Sequence, residues 1–282
     1  MKRCVLVFML ALCSLNVWAQ RLDAPKRLNW EEITPVFGDV YKVVVSQYKL
    51  DETEDTLIIE SSYCYVFNDL GHVSKRYTYD ENGELVTSDE YGFGINDCMT
   101  THERYDASHK RISRRYYEYR GDLVSEIDSF DGDGVYSGSI LFEYDANGNE
   151  TKRLYYDETG ELCESIVFEY DPDIQKVVSE RVYWGSGDPF FSVKYKYDSF
   201  GRIIAVSHFS ASGNLMQENL YSYDRNGNIY VVTSYDENGE ILFIREYSYD
   251  SMNNVVRTNI FDKNGKNIGA EIFEYEFTEG WG

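Results

Sequence analysis

Proline is nearly missing, with 4 in 282 residues, and histidine is as scarce, also 4. The histidines, at positions 72, 102, 109 and 208, are too dispersed to form a metal set, although His102 and His109 flank one turn and can face each other across a hairpin. Cysteine is equally uninformative. After the first 19 residues only Cys64, Cys98 and Cys163 remain, an odd and scattered trio that excludes a disulfide framework. No later segment approaches 18 consecutive apolar residues, which excludes a transmembrane helix. Positive charge is in short supply too, 27 basic against 49 acidic side chains, for a net charge of -22. Such a surface repels phosphate and acidic headgroups, so binding to nucleic acid or to anionic lipid is not expected. What is plentiful is apolar and aromatic surface, 43% and 16% of residues, enough to support a folded domain.

Residues 1–19 have the layout of a secretory signal peptide. Lys2 and Arg3 lead, an apolar run extends from Cys4 to Leu12, and Ala19 stands at a small-residue cleavage position. Lipid attachment at Cys13 is disfavoured by Leu12, which occupies a place where a small residue is expected. The mature chain then starts near Gln20, carries a net charge of -24 once Lys2 and Arg3 are gone, and is exported to the periplasm, the cell surface or the medium.

From there a single repeat organises the chain. An aromatic-Asp-x-x-Gly tetrad recurs with steps alternating between about 12 and about 14 residues, giving a unit of about 26 residues that holds two turns. The turn chemistry is explicit in Asp80-Glu81-Asn82-Gly83, Asp145-Ala146-Asn147-Gly148, Asp224-Arg225-Asn226-Gly227, Asp236-Glu237-Asn238-Gly239 and Asp262-Lys263-Asn264-Gly265. Asp accepts a backbone amide, Asn tolerates the bridge region, and Gly supplies the positive φ of a bulged hairpin turn. Between turns lie runs of about 7 and 9 residues, free of proline, that read as strands.

Period-2 alternation assigns the faces. Ahead of the first turn of each unit, the positions one and three before the Asp site are aromatic in all nine copies, among them Tyr195 and Tyr197, Tyr221 and Tyr223, and Tyr247 and Tyr249. Ahead of the second turn the nearer position repeats the rule as Tyr79, Tyr105, Phe130, Tyr156, Tyr183, Phe209, Tyr235 and Phe261. Residues two apart share a face, so aromatic rows are expected on one packed side. The expected architecture is all-β: a repetitive antiparallel meander of about 16 strands, curled into a superhelical or shell-like sheet because a flat one would be too long to stay open. A membrane barrel is not expected, because the strands are short and the face opposite the aromatics carries charge. Residues 20–40, with Pro25, Trp30 and Pro35, read as a linker that caps the first sheet edge, 41–282 as the repeat domain, and Trp281 as part of the opposite cap.

The segments FEYDANGN (Phe142 to Asn149), KYDSFGRI (Lys196 to Ile203) and YSYDRNGNI (Tyr221 to Ile229) resemble the YD repeats of Rhs proteins and teneurins. The resemblance runs from about Tyr63 to Tyr275. It implies a spiralling β-shell, with interaction or carbohydrate binding by the repeats. A toxin cargo, carried by some members, is not expected, since the sequence closes a few residues after the last repeat.

No catalytic signature is present. Gly185-Ser186-Gly187 lacks the spacing of a nucleophile elbow, and carboxylate pairs are too common in this composition to single one out. The acidic turns lack the spacing of an EF-hand, so no metal or cofactor is assigned, with weak calcium binding between adjacent turns left open. Two candidate surfaces remain. One is the aromatic set Tyr195, Tyr197, Tyr221, Tyr223, Tyr247 and Tyr249, a core if buried and a sugar-stacking groove if open. The other is the basic cluster Lys110, Arg111, Arg114 and Arg115, within the least repetitive stretch 94–138, with cross-strand pairing to Glu103, Glu126 or Asp128 as the plain alternative. The functional expectation is a non-enzymatic exported scaffold that meets a protein or glycan at the cell envelope. A carbohydrate-binding module comes next, and an enzyme with its site in 94–138 last; the oligomeric state is open.

Overall fold

The computed structural model describes residues 36–95 and 97–278. The segments read as signal peptide and most of the N-terminal cap, together with Trp281, lie outside them. Every regular element is a β-strand. The first six are β1 (Val40–Asp51), β2 (Thr56–Phe67), β3 (Val73–Tyr79), β4 (Leu85–Phe93), β5 (Met99–Asp106) and β6 (Arg111–Arg120). Then come β7 (Leu123–Asp131), β8 (Tyr136–Tyr144), β9 (Glu150–Tyr156), β10 (Leu162–Asp171), β11 (Lys176–Trp184) and β12 (Pro189–Tyr197). The last six are β13 (Ile203–Ser210), β14 (Leu215–Tyr223), β15 (Ile229–Asp236), β16 (Ile241–Tyr249), β17 (Val255–Phe261) and β18 (Asn267–Phe277).

Each strand pairs antiparallel with its successor, and β1 also pairs with β18, from Val40 opposite Phe277 to Lys49 opposite Gly269. The meander is therefore a closed barrel of eighteen strands, where a superhelical or shell-like sheet of about 16 was expected. Two strands make the difference: β2 precedes the first repeat turn, at Asn68, and β1 lies outside the frame altogether. It lacks the tetrad and turns into β2 through Asp51-Glu52-Thr53-Glu54-Asp55, so the repeat frame does not reach it, and its pairing on both sides removes the free edges that an open sheet would leave.

The turns follow their expected chemistry. In the turn at Asp224, the Gly227 amide donates to the Asp224 carbonyl at 3.1 Å, and Gly227 has φ +84. Asp224 Oδ1 accepts the amides of Asn226 at 2.9 Å and Asn228 at 2.8 Å. In Asp80, Asp145, Asp236 and Asp262, such amide bonds hold the carboxyl below the usual carboxylate range.

A β-bulge faces the aromatic residue before each repeat turn, and it changes the geometry of the aromatic rows. Lys196 pairs with Ala205 but Tyr197 with Ile203, leaving Ile204 as the extra residue. That residue shifts the alternation by one position. Tyr197 and Ile203 consequently share the inner face with Val206 and His208, while Phe209 falls on the other face with Ser192. The aromatics before the first turns thus line the inside, whereas those before the second turns stand on the outer wall, contrary to the single packed side expected. Lys194, also on the outer wall, lies 5.0 Å from the Phe209 ring centre.

Inside, the apolar residues gather in three arcs of neighbouring strands. One joins Val193, Tyr195, Ile203, Val206, Tyr221, Ile229 and Val232; a second centres on Val124 and Ile127; a third on Val43 and Val73. Successive units are tied together by a phenol. The hydroxyls of Tyr119, Tyr144, Tyr170, Tyr197, Tyr223, Tyr249 and Tyr275 each donate to a main-chain carbonyl twenty residues earlier, at 2.5 to 2.9 Å. Burial pushes the phenols of Tyr119, Tyr144, Tyr170 and Tyr223 up to about 12, so they remain donors across the physiological range. Removing one such bond leaves a buried carbonyl without that partner. Tyr223→Phe is expected to lower unfolding free energy by about 1 kcal/mol in urea titration with an unchanged m-value.

Candidate functional site

The six tyrosines singled out in the sequence all stand on the inner wall. Tyr195 and Tyr221 are 7% and 8% exposed, and Tyr197, Tyr223 and Tyr249 give their hydroxyls to the carbonyls of Val177, Ile203 and Ile229. These rings pack the wall. Tyr247 is half-buried against the same arc. The basic cluster, by contrast, is split by strand alternation. Arg114 points outward, its Nε 2.6 Å from Glu103 Oε1, and Arg111 reaches the same carboxylate at 3.4 Å. Lys110 belongs to the turn, where its amide bonds to Asp106 Oδ1. Arg115 shares the inner face with Tyr117, opposite His102 and Ser129.

Arg115 therefore belongs to a polar sector that the repeat pattern did not signal. On the inner wall, Arg76 of β3 lies opposite Asp89 of β4, and Asp89 opposite Arg104 of β5. Asp89 is completely buried. Its Oδ2 accepts Nε and Nη2 of Arg76 at 3.2 and 3.0 Å, and its Oδ1 lies 2.7 Å from His102 Nε2 and 3.6 Å from Arg104 Nε. The His102 ring stacks on Tyr91 with centres 4.7 Å apart. Burial by itself would raise the Asp89 carboxyl, but the bond to His102 and the charges of Arg76 and Arg104 outweigh it and hold the group below its ordinary value. His102 and His109 do not face each other: His109 stacks on Tyr105 instead, with ring centres 4.5 Å apart. The polar residue types were visible in the sequence. Their convergence was not, because it requires the register of three strands and the phase shift at each bulge.

A second inner sector lies on β9 to β11. Arg153 grips Glu150 with two bonds of 2.8 and 2.9 Å and lies between the rings of Phe142 and Phe168, 5.2 and 5.5 Å from their centres. Glu180 accepts the Tyr195 hydroxyl at 2.7 Å, and burial pushes its carboxyl up; Glu164 is raised for the same reason. Charge on the inner wall is thus segregated. Away from the turns, three guanidinium groups face one carboxylate on β3 to β6, while three carboxylates face Arg153 on β9 to β11.

The interior also has open space. Arg104 is 41% exposed although it stands on the inner wall, and Arg115 is exposed as well. Barrels of 16 to 18 strands are wide enough to leave an aqueous interior. Among the described residues, no group of three His, Cys, Asp or Glu is placed to hold a metal ion, and Cys64, Cys98 and Cys163 form no disulfide with one another. In the acidic turns, one Asp oxygen already accepts two main-chain amides.

Two stability tests follow from these sectors. Asp89→Ala leaves the largely covered Arg76 without its counter-charge, and is expected to cost about 3 kcal/mol in chemical denaturation. At Glu180 the sign is opposite. Its folded carboxyl titrates above the unfolded one, so its charge destabilises the fold above that raised value and the penalty disappears as pH falls toward about 4.3, the unfolded Glu value. Glu180→Gln should therefore be more stable than the wild type at pH 7, with the advantage vanishing by about pH 4 in pH-dependent denaturation.

No family model matches the chain, and no curated protein matches it. Among solved structures, it is similar to a Tc holotoxin pore chain from Photorhabdus luminescens at 13% identity and a TM-score of 0.38, over 74% of this chain and 12% of that one. It is also similar to a porin-like protein from Bacteroides uniformis, at 11% identity and a TM-score of 0.48, over 86% of this chain and 99% of that one. A porin-like protein from Bacteroides vulgatus aligns at 12% identity and a TM-score of 0.28, over 84% and 98% of the two chains. The chain thus spans about an eighth of the toxin chain and nearly all of the two porin-like ones.

Proposed function

We propose that this protein is an exported, non-enzymatic β-barrel scaffold, assembled from YD-type repeats, that meets a protein or glycan partner through its outer wall in the cell envelope. The observation that carries this reading is the burial of the inner aromatic rows, those before the first turn of each unit. Tyr195 and Tyr221 are covered and the neighbouring phenols are bonded to main-chain carbonyls, so the rings that would stack on sugars in an open groove pack the wall instead. That leaves the outer wall and the turns to meet a partner.

Outer-wall chemistry supports a barrel standing in water. Mid-strand positions there include Glu90, Glu103, Arg114, Glu143, Glu218 and Glu246, paired across strands with neighbours such as Arg76's flanking Lys75 at 2.9 Å from Glu90. Facing lipid at the bilayer centre, a basic side chain would cost about 2 to 4 kcal/mol, and acidic ones would add to that. No helix among the described residues is long and apolar enough to cross a membrane.

Photo-crosslinking tests the reading. With a crosslinkable residue at Glu246 on the outer wall, defined adducts with envelope components are expected; with one at Gln217 on the inner wall, none. A glycan array provides the opposing result. Specific sugar binding that is lost in a folded Tyr221→Ala, Tyr247→Ala variant would overturn the scaffold in favour of a carbohydrate-binding module.

A further inference from the structure

We infer that the inner wall at β4 to β6 holds a binding site for the oxyanion group of a small organic molecule, with Arg104 and Arg115 as the groups that contact it. The site lies inside the barrel, so it is separate from the outer wall that serves the scaffold.

The argument begins with placement. Arg104 lies opposite Ser113 and Arg115 opposite His102, which makes the two arginines diagonal neighbours across the β5–β6 pair on one face. Diagonal neighbours lie about 7 to 8 Å apart at the backbone, within which two long guanidinium side chains can converge on one anion. Both side chains are exposed toward the interior, unlike the aromatics around them.

The second observation is the state of Arg104. Its Nε is buried without a hydrogen-bond partner, and its nearest carboxylate oxygen, Asp89 Oδ1 at 3.6 Å, is already bonded to His102. Asp89 is further occupied by the two bonds from Arg76. One carboxylate therefore bonds one guanidinium group and an imidazole, and it leaves Arg104 Nε without a bond. The flanking inner-face positions on β6 and β7 are Ser113, Ile127, Ser129 and Asp131; Asp131, like Asp106 at the end of β5, is held in its turn, where Oδ1 accepts two main-chain amides. A buffered excess of positive charge, fixed on strands and bordered by the Tyr91 and Tyr117 rings, suits a carboxylate, phosphate or sulfate group on a compact organic body. The Asp89 network then acts as the positioning element: it anchors Arg76 and His102 on either side, so the fold orders the site before the ligand arrives.

Calorimetric titration of the mature protein at pH 7 and low salt tests the site, with inorganic phosphate, glucuronate and glucose as probes. Saturable binding of phosphate or glucuronate is expected, with glucose silent. Either anion should bind at least about tenfold more weakly to Arg104→Gln, Arg115→Gln, while outer-wall Arg114→Gln should match the wild type. Near-ultraviolet circular dichroism checks folding, and if the double variant unfolds, Arg115→Gln alone, at an exposed side chain, gives the same comparison. The inference is overturned if neither anion binds by about 10 mM, if the inner variants bind as well as the wild type, if Arg114→Gln loses as much, or if glucose binds equally.

Discussion

The whole architecture depends on β1 finding two partners. Seventeen hairpin-connected strands would still present two long rows of unpaired amides and carbonyls, and such edges invite association with other chains. By pairing with β2 on one side and β18 on the other, β1 converts a repetitive ribbon into a surface without an edge. Closure in turn creates an inside and an outside, and every later property of the molecule follows from that division. The tyrosine pairs before the first turns pack because they face inward, and the charged positions are tolerated because most of them do not.

The bulges make that curvature compatible with short turns. Each inserts one residue opposite the aromatic that precedes a turn, which strengthens the local twist and lets strands of 7 to 12 residues wrap into a ring. They also explain how the inner wall can mix packing with chemistry. On one strand the inward positions are Ile203, Val206 and His208; on another they are Glu150, Arg153 and Tyr155. The same geometric slots are filled by apolar residues in the three arcs and by ionised ones in the two sectors. Repetition fixes the frame, and departures from the repeat supply the individuality.

Much of this was legible in the residues. The Asp-x-Asn-Gly turns, the strand lengths and the inward aromatic pairs, such as Tyr221 and Tyr223, follow from local rules that act over a few positions. Three features were not, each for a physical reason. The closing strand carries no turn tetrad, so Val40–Asp51 is invisible to a search for repeats. Phe209 and its equivalents face outward because one bulge residue reverses the alternation, and a pattern count cannot see an inserted residue that keeps hydrophobic character, as Ile204 does. The Asp89 sector joins residues from β3, β4 and β5 whose meeting depends on register rather than on proximity in the chain. The tyrosine-to-carbonyl ties left only a faint trace: the position before the first turn is Tyr in seven of the nine copies, with Phe67 and Phe93 as the two that lack a hydroxyl.

Closure has a kinetic side as well. Nearly all strand pairings join neighbours in sequence, so most of the wall can assemble by local hairpin steps at little cost in chain entropy. The seam is different in kind. The Thr278 amide and hydroxyl both donate to the Asp39 carbonyl across 239 positions of chain, and the β1–β18 ladder spans a similar distance. A strand that emerges early must therefore hold one side vacant until the last strand is made. The protein passes through its period of greatest exposure to wrong partners just before the ring shuts, and the speed of that one long-range step sets how long the danger lasts.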